Sequence, residues 1–514
     1  MPGTFFGFNT ALRGMQAAQR SIYTTAHNIA NANTEGYTRQ QVVLATTPAY
    51  PVPAMNRPGG TGWQIGTGVD SQETRRMRDE FLDTQIRRET GSLGMWEQIQ
   101  DVLQQVEIVF NEPSDTGLST LMSQFWAAWQ ELSKNAESSP VRTTVVETAS
   151  ALAEAFNHSA QQLETIINDI DQSIELKVTE INSLARQIAD LNVQIKNVVA
   201  AGDQPNDLLD QRDMLLDRLS KIIDFEVEYN KVDVNGEALY DGQIKIKIGG
   251  AYLVEINNDS NIIHEVTDNG PESGKIYWEE NGTEINSVRG EIKGLQQARE
   301  DVQLYLDRLD VLARGLAENI NDLHGKGLDL SGQPVSGTSY ENFFVVLSNP
   351  PSTGDISDSG ITAKNIGVNL NIRNDVTKIA AADVSGGAGN GANALKIAQL
   401  QSKLFQENDT DGDGSIDTLV ADTSGTSGVT FDDYYKNFTA KLGVDAHEAE
   451  RMTTNQGVLV DQLTNRKESI SGVSLDEEMA NMLQYQRAYE AAARMITTLD
   501  AMLDKIINGM GVIR

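Results

Sequence analysis

The chain has 514 residues, 39% of them hydrophobic and only 6% aromatic, which supplies several packed units rather than one core. Its formal net charge is -32, from 73 acidic against 41 basic residues, a balance that repels nucleic acid and anionic membrane surfaces. Cysteine is absent, so thiol catalysis, disulfides and Cys-type zinc sites are excluded, and no apolar run reaches the roughly eighteen residues of a membrane span. The opening Met1-Pro-Gly-Thr-Phe-Phe carries no basic segment, and Arg13 and Arg20 interrupt the next apolar stretch, against a cleaved secretory signal.

Phe5, Phe8, Leu12, Met15, Ile22, Ala26 and Ile29 recur at steps of three and four, with Gln19 as the one polar interruption. This spacing predicts an amphipathic helix over 5–29, ending between Asn31 and Gly36, where poor helix formers cluster. Pro48, Pro51, Pro53 and Pro58, with Gly59, Gly60 and Gly62, predict an extended connector with short strands over 40–74. Helix is expected again from Arg75, with Trp96, Ile99, Leu103, Val106 and Phe110 on one face and Pro113 closing it. The next helix is expected around 118–133, carrying Trp126 and Trp129. Ser139-Pro140 opens the longest internal helix, whose seam runs from Ile167 to Val198 with Lys177 as an interruption. Asp207 to Ile223 reads as a return helix, giving an antiparallel pair.

Over 225–288 the period changes to two. Ile244, Ile246 and Ile248 alternate with Lys245 and Lys247. After Gly249-Gly250, Tyr252, Val254 and Ile256 alternate with Leu253 and Glu255, a β-hairpin pattern. Asn235-Gly236 and Asn281-Gly282 predict further tight turns. Helix resumes near Gly290, with a seam from Val302 to Leu323 and Gly325 as its cap. Residues 327–433, rich in Gly, Ser, Asn and Asp, read as a looser insert of strand and loop. A helix from Asp432 to Arg466 leads to the last stretch.

Ser474-x-x-Glu477 forms a capping-box pattern. Met482, Tyr485, Tyr489, Ala492, Ile496, Leu499, Leu503, Ile506, Met510 and Ile513 then hold a heptad seam. At ~1.5 Å per residue the helix is roughly 50 Å or longer. One such seam cannot hide from water alone, so both chain ends are expected to pair, with each other and with copies from neighbouring subunits. The fold class expected is mainly α with β inserts in a nested architecture: terminal helices in a coiled coil, a long helical-bundle body and protruding antiparallel β domains. The boundaries expected are 1–36 with 471–514 for the terminal unit, and 37–224, 290–326 and 432–470 for the body. A β domain is expected at 225–289 and a mixed insert at 327–431.

Asn28-Ile-Ala-Asn-Ala-Asn-Thr-Glu-Gly-Tyr-Thr-Arg-Gln40 resembles the N-terminal signature of bacterial flagellar rod, hook and hook-associated proteins. Ser471-Gly-Val-Ser-Leu-Asp-Glu-Glu-Met through Tyr489 resembles the C-terminal signature of the same axial group. Asn206-Asp-Leu-Leu-Asp-Gln-Arg-Asp213 and Gly290 to Asp301 are similar to segments of hook-associated proteins of the hook–filament junction. The resemblance spans most of the chain and is weakest over 327–433.

It implies a non-enzymatic, secreted, extracellular subunit of the bacterial flagellum, exported unfolded and polymerising through its terminal helices. The partners implied are other copies of itself, the hook protein, a second junction protein and a cytoplasmic export chaperone. In this group the ends are disordered in the monomer and order on assembly. The residues expected to carry assembly are Phe8, Leu12, Met15, Ile22, Ile29, Asn31, Asn33, Gly36, Tyr37 and Arg39 at one end. At the other they are Leu475, Met482, Tyr485, Tyr489, Ile496, Leu499, Leu503 and Ile506. Alternatives are another hook- or filament-type subunit, a calcium-dependent adhesin with a helical stalk, and an enzyme carried in the 327–433 insert. No nucleophile or Walker-type constellation supports the last, and the five histidines show no metal spacing.

No cofactor is required, but one motif departs from scaffolding. Asp409, Asp411, Asp413, Ser415 (by its carbonyl) and Asp417 occupy alternate positions of an EF-hand-type calcium loop, with Gly414 for the turn. The twelfth position, usually Glu, is Val420. The competing reading is a solvated acidic turn.

Overall fold

The computed structural model describes residues 5–50, 64–110, 117–234, 237–257, 260–383, 387, 389–408, 418–421 and 428–509. Helix α1 (Phe6–Ala30) stops where Asn31 leaves helical geometry, and Gly36 then adopts φ 77. Strands β1 (Gln40–Thr46) and β2 (Val69–Arg76) pair antiparallel with a bulge at Val43/Leu44. The helix expected from Arg75 begins later, as α2 (Glu80–Phe110), because the Asp79 carboxylate accepts the amide protons of Phe81 and Leu82 as a cap. Then come α3 (Leu118–Lys134), α4 (Ser139–Ala200) and α5 (Asn206–Ile222). The 62 residues of α4 span roughly 90 Å at ~1.5 Å each. Pro140 sits in its first turn, where no amide partner is needed.

Strands β3 (Glu226–Val234), β4 (Glu237–Ile248), β5 (Ala251–Asn257) and β6 (Ser260–Ile263) form an antiparallel meander, followed by a ribbon of β7 (Val266–Thr267) and β8 (Tyr277–Trp278). Ile244, Ile246 and Ile248 are buried, as alternation requires. In β5 the alternation fails: Leu253 and Val254 are both fully buried, because a bulge opposite Ile246/Lys247 turns two successive side chains inward. Two asparagines of α4 hold this domain. Asn192 donates to the Ile244 carbonyl at 2.8 Å, and Asn182 donates to Val266 O at 2.8 Å while accepting from its amide at 2.9 Å.

Helix α6 (Glu291–Gly325) returns along α4, tied by Arg299 to Asp171 at 2.7 Å. Lys177, the interruption in the α4 seam, reaches the buried Glu291 carboxylate at 2.7 Å. A carboxylate in the first turn of α6 is favoured by the helix dipole, and Lys177 offsets part of the cost of burying it.

The next segment holds β9 (Phe344–Val346) paired with β10 (Ile366–Val368), α7 (Leu370–Asn374), α8 (Ala392–Gln399), and β11 (Phe405–Asn408) paired with β12 (Thr418–Ala421). It is less loose than its composition suggests. Phe343, Phe344, Ile366, Ile397, Phe405 and Leu419 join the same core as Trp126 and Trp129 of α3, Phe156 of α4 and Leu316 of α6. The expected helix at 432–466 is longer, α9 (Phe431–Ser471), started by the Thr430 hydroxyl accepting the Asp433 amide and packed along α2. Helix α10 (Leu475–Gly509) closes the described chain. Among the described residues, the core of the body includes none of α1 or α10.

His324 is fully buried in this core. Its Nδ1–H donates to the Glu341 carbonyl at 2.8 Å, and its Nε2 accepts the Ala380 amide at 3.0 Å. Burial lowers its pKa to about 4. A histidine held neutral stabilises the fold above its unfolded pKa and loses that contribution as pH falls through the folded value. Stability should therefore fall between about pH 6.5 and pH 4 by up to ~3 kcal/mol, one pKa unit being about 1.4 kcal/mol. His324→Gln should flatten that slope in thermal melts; an unchanged slope would remove His324 as its cause.

Candidate assembly interface

Helices α1 and α10 lie antiparallel, with Asn28 beside Glu478 at one end and Gly7 beside Leu499 at the other. On α10 the half-buried positions include Met482, Tyr485, Tyr489, Ala492, Ile496, Leu499 and Leu503, while Leu475 is exposed. The side chain of Ile506 lies outside the described residues, as do Met510 and Ile513.

On α1 the stripe most deeply buried differs from the expected one. Ala11, Ala18, Ser21, Thr25 and Asn28 are buried, and Gly7 and Gly14 continue their four-three spacing. At Gly7 the missing side chain lets Leu499 of α10 come within 3.5 Å of where a Cβ would stand, whereas Gly14 has open space beside it. Phe8, Leu12, Met15, Ile22 and Ile29 flank that stripe, only half-buried, and Phe5 is 63% exposed. The chain ends pair with each other, as expected, but the stripe of α1 buried most deeply in that pairing is the small-residue one, not the expected large-residue seam. What stays uncovered is the large-residue flank of α1 and, on opposite sides of the α10 seam, Met479 with Leu483 and Met495 with Met502, each at least half exposed.

The two helices meet in a buried polar knot. Asn28 uses its whole hydrogen-bonding capacity. Its Nδ2 donates to Glu478 Oε2 and to the Gln40 carbonyl, both at 2.9 Å, and its Oδ1 accepts from the Tyr37 hydroxyl at 2.7 Å and the Gln40 amide at 3.0 Å. Glu478, 2% exposed, also takes Arg39 Nε at 2.9 Å. Glu477, expected in a capping box, has its carboxylate 3.2 Å from Arg39 Nη1 instead. Burial, then Asp207, Asp210 and Glu478, push the Tyr37 hydroxyl well above its ordinary pKa, so it stays a donor. Asn31 donates to the His27 carbonyl at the helix end, and Asn33 is exposed. Gly36 has a left-handed φ that strains any other residue, and an added Cβ would also push the Met214 side chain aside.

Helix α5 fastens this knot to the body. Its Asn206, Asp210, Asp213 and Asp217 fall at steps of four, three and four, on one face. Asn206 donates to Thr74 O at 2.8 Å, and Asp210 accepts the Thr38 amide at 3.0 Å and Arg76 at 2.8 Å. Asp213 receives Arg76 at 2.7 Å, Arg78 at 3.0 Å and Arg87 at 3.3 Å. Asp217 takes Arg87 at 2.6 Å, and Lys467 of α9 bridges Asp217 and Asp83. Arg78 also pairs with Asp83. Burial opposes ionisation of Asp213, but Arg78, Arg76 and Arg87 outweigh it and hold the carboxyl below its usual range. From the opposite face of α5, the buried Arg212 reaches Gly242 O at 2.6 Å and Asn192 Oδ1 at 3.0 Å, clamping the β domain. Terminal pair, ribbon, body and β domain therefore converge on one helix.

Sequence reasoning missed Asn28, Glu478 and the α5 carboxylates as a site. The one available signal was that four acidic or amide residues share an α5 face while Arg76, Arg78 and Arg87 precede it. Residues 409–417, the calcium-loop expectation, lie outside the described residues. Among the described residues no group of three or more His, Asp or Glu is placed to hold a metal ion. None of the described helices is long and apolar enough to cross a membrane.

Residues 103–343 match the family described as flagellar hook-associated protein FlgK helical domain. Residues 8–38 match flagella basal body rod protein, and 468–509 match flagellar basal body rod FlgEFG protein C-terminal. The chain is 33% identical to flagellar hook-associated protein 1 of Bacillus subtilis, across 100% of this chain and 99% of that protein. It is 27% identical to flagellar hook-associated protein 1 of Escherichia coli K12, across 97% and 99%. Among solved structures, the flagellar hook junction protein FlgK from Burkholderia pseudomallei shares the fold at TM-score 0.57 and 16% identity, covering 75% of this chain and 100% of that one.

Proposed function

The chain belongs to the flagellar hook-associated protein 1 family, and we propose that it is a self-assembling structural subunit joining hook to filament in the bacterial flagellum. It is exported unfolded, which the absence of cysteine suits, and acts outside the cell. Its neighbours are the hook protein on one side and a second junction protein on the other, and a cytoplasmic chaperone holds the C-terminal helix before export. It works without catalysis and without a required cofactor. Residues 1–36 and 471–514 form the assembly unit. Residues 37–224, 290–326 and 432–470 form the body, with 225–289 and 327–431 borne on it.

The observation that carries this reading is the pair of uncovered apolar stripes on the terminal helices. Phe8, Leu12, Met15 and Ile22 of α1, and Met479, Leu483, Met495 and Met502 of α10, remain half-buried or exposed after the helices have paired. Phe8, Met15 and Ile22 fall seven residues apart on one flank of α1, and apolar surface left uncovered in this way marks an interaction site. Charge supports contact between copies: α1 has Arg13 and Arg20 and no acidic residue, whereas α10 has six acidic against three basic residues. Ends that pair within one chain also fit a calcium-dependent adhesin; the uncovered stripes and the named relatives favour the flagellar subunit. In a strain lacking this chain, electron microscopy should show hooks without attached filaments, restored by a plasmid-borne copy. Continuous flagella in that strain would defeat the proposal.

A further inference from the structure

The stripe by which α1 meets α10 has an ambiguity built into it. Gly7, Ala11, Gly14, Ala18, Ser21, Thr25 and Asn28 repeat every seven residues, and so does the α10 face from Met482 to Leu503. Sliding one helix by a heptad, about 10 Å, lays small residues on small positions and the seam on the seam. The apolar repeat alone therefore specifies the register only through differences in side-chain size, such as Leu499 against Ala492. The polar knot does not repeat. Asn28 and Glu478 meet at one level only, and Glu478 is the one fully buried side chain of α10 among the described residues.

We propose that Glu478, held by Asn28 and Arg39, is the specificity-determining residue that sets the register of the terminal helix pair. In the native register its carboxylate accepts from Asn28 Nδ2 and from Arg39 Nε, each at 2.9 Å. In a register slipped by one heptad it moves about 10 Å from both and loses those partners, which a buried carboxylate tolerates poorly. Asn28 would at the same time lose one of its four bonds. Arg39 lies just past the turn that ends α1, so one end of the pair is pinned to the body through the neighbouring Thr38–Asp210 bond. The inference concerns a single chain and stands or falls independently of the flagellar reading.

The absence of cysteine makes the test direct. The full-length chain is prepared with Gly7→Cys and Leu499→Cys, which reports the native register, or with Gly7→Cys and Ala492→Cys, which reports a one-heptad slip. Only α-carbons within about 7 Å can be bridged. Oxidised in dilute solution, the native pair should cross-link within the chain in preference to the slipped pair by on the order of a hundredfold, as expected for a buried carboxylate that loses its partners on slipping. Adding Glu478→Ala should bring the two yields to comparable levels, and Glu478→Gln, which keeps an acceptor for Asn28, should give an intermediate ratio. Should Glu478→Ala melt the helices, seen as lost helicity, the double variant Asn28→Leu with Glu478→Leu decides, since apolar side chains refill the site. Slipped cross-links in that variant support the proposal. Cross-linking of the native pair alone, there or in a folded Glu478→Ala chain, overturns it.

Discussion

Replacing Asp213 by alanine should cost about 3–5 kcal/mol, the loss expected when one partner of a buried ion pair is removed and the others stay behind. Three guanidinium groups, Arg76, Arg78 and Arg87, converge on that carboxylate, and each side chain is less than a fifth exposed. Without it they face one another with Asp83, Asp210 and Asp217 left to compensate. Asp213→Asn keeps the shape and should lose nearly as much, which separates charge from packing. Asp207→Ala is the control. Its carboxylate is 60% exposed beside His27, and exposed pairs contribute only ~0.2–1 kcal/mol. Urea unfolding with hydrogen exchange would locate the loss at α5, β2 and the start of α2. An Asp213→Ala chain as stable as the parent would mean that the arginines find water or other carboxylates at little cost.

Acidification separates this network from the His324 site. The Asp213 carboxyl is held below its ordinary range, so its contribution is present above the unfolded carboxylate pKa and is lost only as pH falls beneath it. His324, lowered to about 4, begins to lose its contribution already below about pH 6.5. The body core around α6 should therefore weaken before the α5 network does.

Contacts differ in how far they advertise themselves in sequence. The α10 seam was legible because Met482, Tyr485, Tyr489, Ile496 and Leu499 are large and spaced for one helical face. The matching stripe of α1 was not, because Gly7, Ala11, Gly14, Ala18 and Ser21 carry almost no hydropathy signal. The larger Phe8, Leu12 and Met15 beside them set the expected seam on the neighbouring flank, which is only half-buried in the single chain. Lys177 looked like a flaw in a seam until Glu291, more than a hundred residues away, supplied its partner. Asp210, Asp213 and Asp217 gave no sign of a site, since nothing in local spacing shows that three arginines will reach them. In β5 the two-residue alternation was real, but a bulge broke its phase at Leu253. Periodicity finds apolar faces built from large residues; it is blind to small-residue contacts and to long-range ion pairs.

The uncovered flank of α1 leads to the second large effect. Ile22→Asp should abolish assembly while leaving the single chain folded. Ile22 is half-buried and belongs to the flank, not to the small-residue stripe that holds α10. In the free chain an aspartate there can turn to water at little cost. In a contact between copies it would be buried without a partner, costing several kcal/mol at every interface. A loss of about 3 kcal/mol per contact weakens association by more than a hundredfold. Sedimentation at rising concentration would show the variant still monomeric where the parent associates, and a strain carrying it would lack attached filaments. Ala18→Leu gives the converse case. It overpacks the stripe inside one chain, so it should destabilise the α1–α10 pair by ~1–3 kcal/mol before any copy is met. If Ile22→Asp assembled as the parent does while Ala18→Leu left the pair intact, the division between a stripe for the chain's own α10 and a flank for its neighbours would be wrong. If instead both variants lost the native Gly7–Leu499 cross-link, the two faces would act as one surface, and α1 would have no flank free for another subunit.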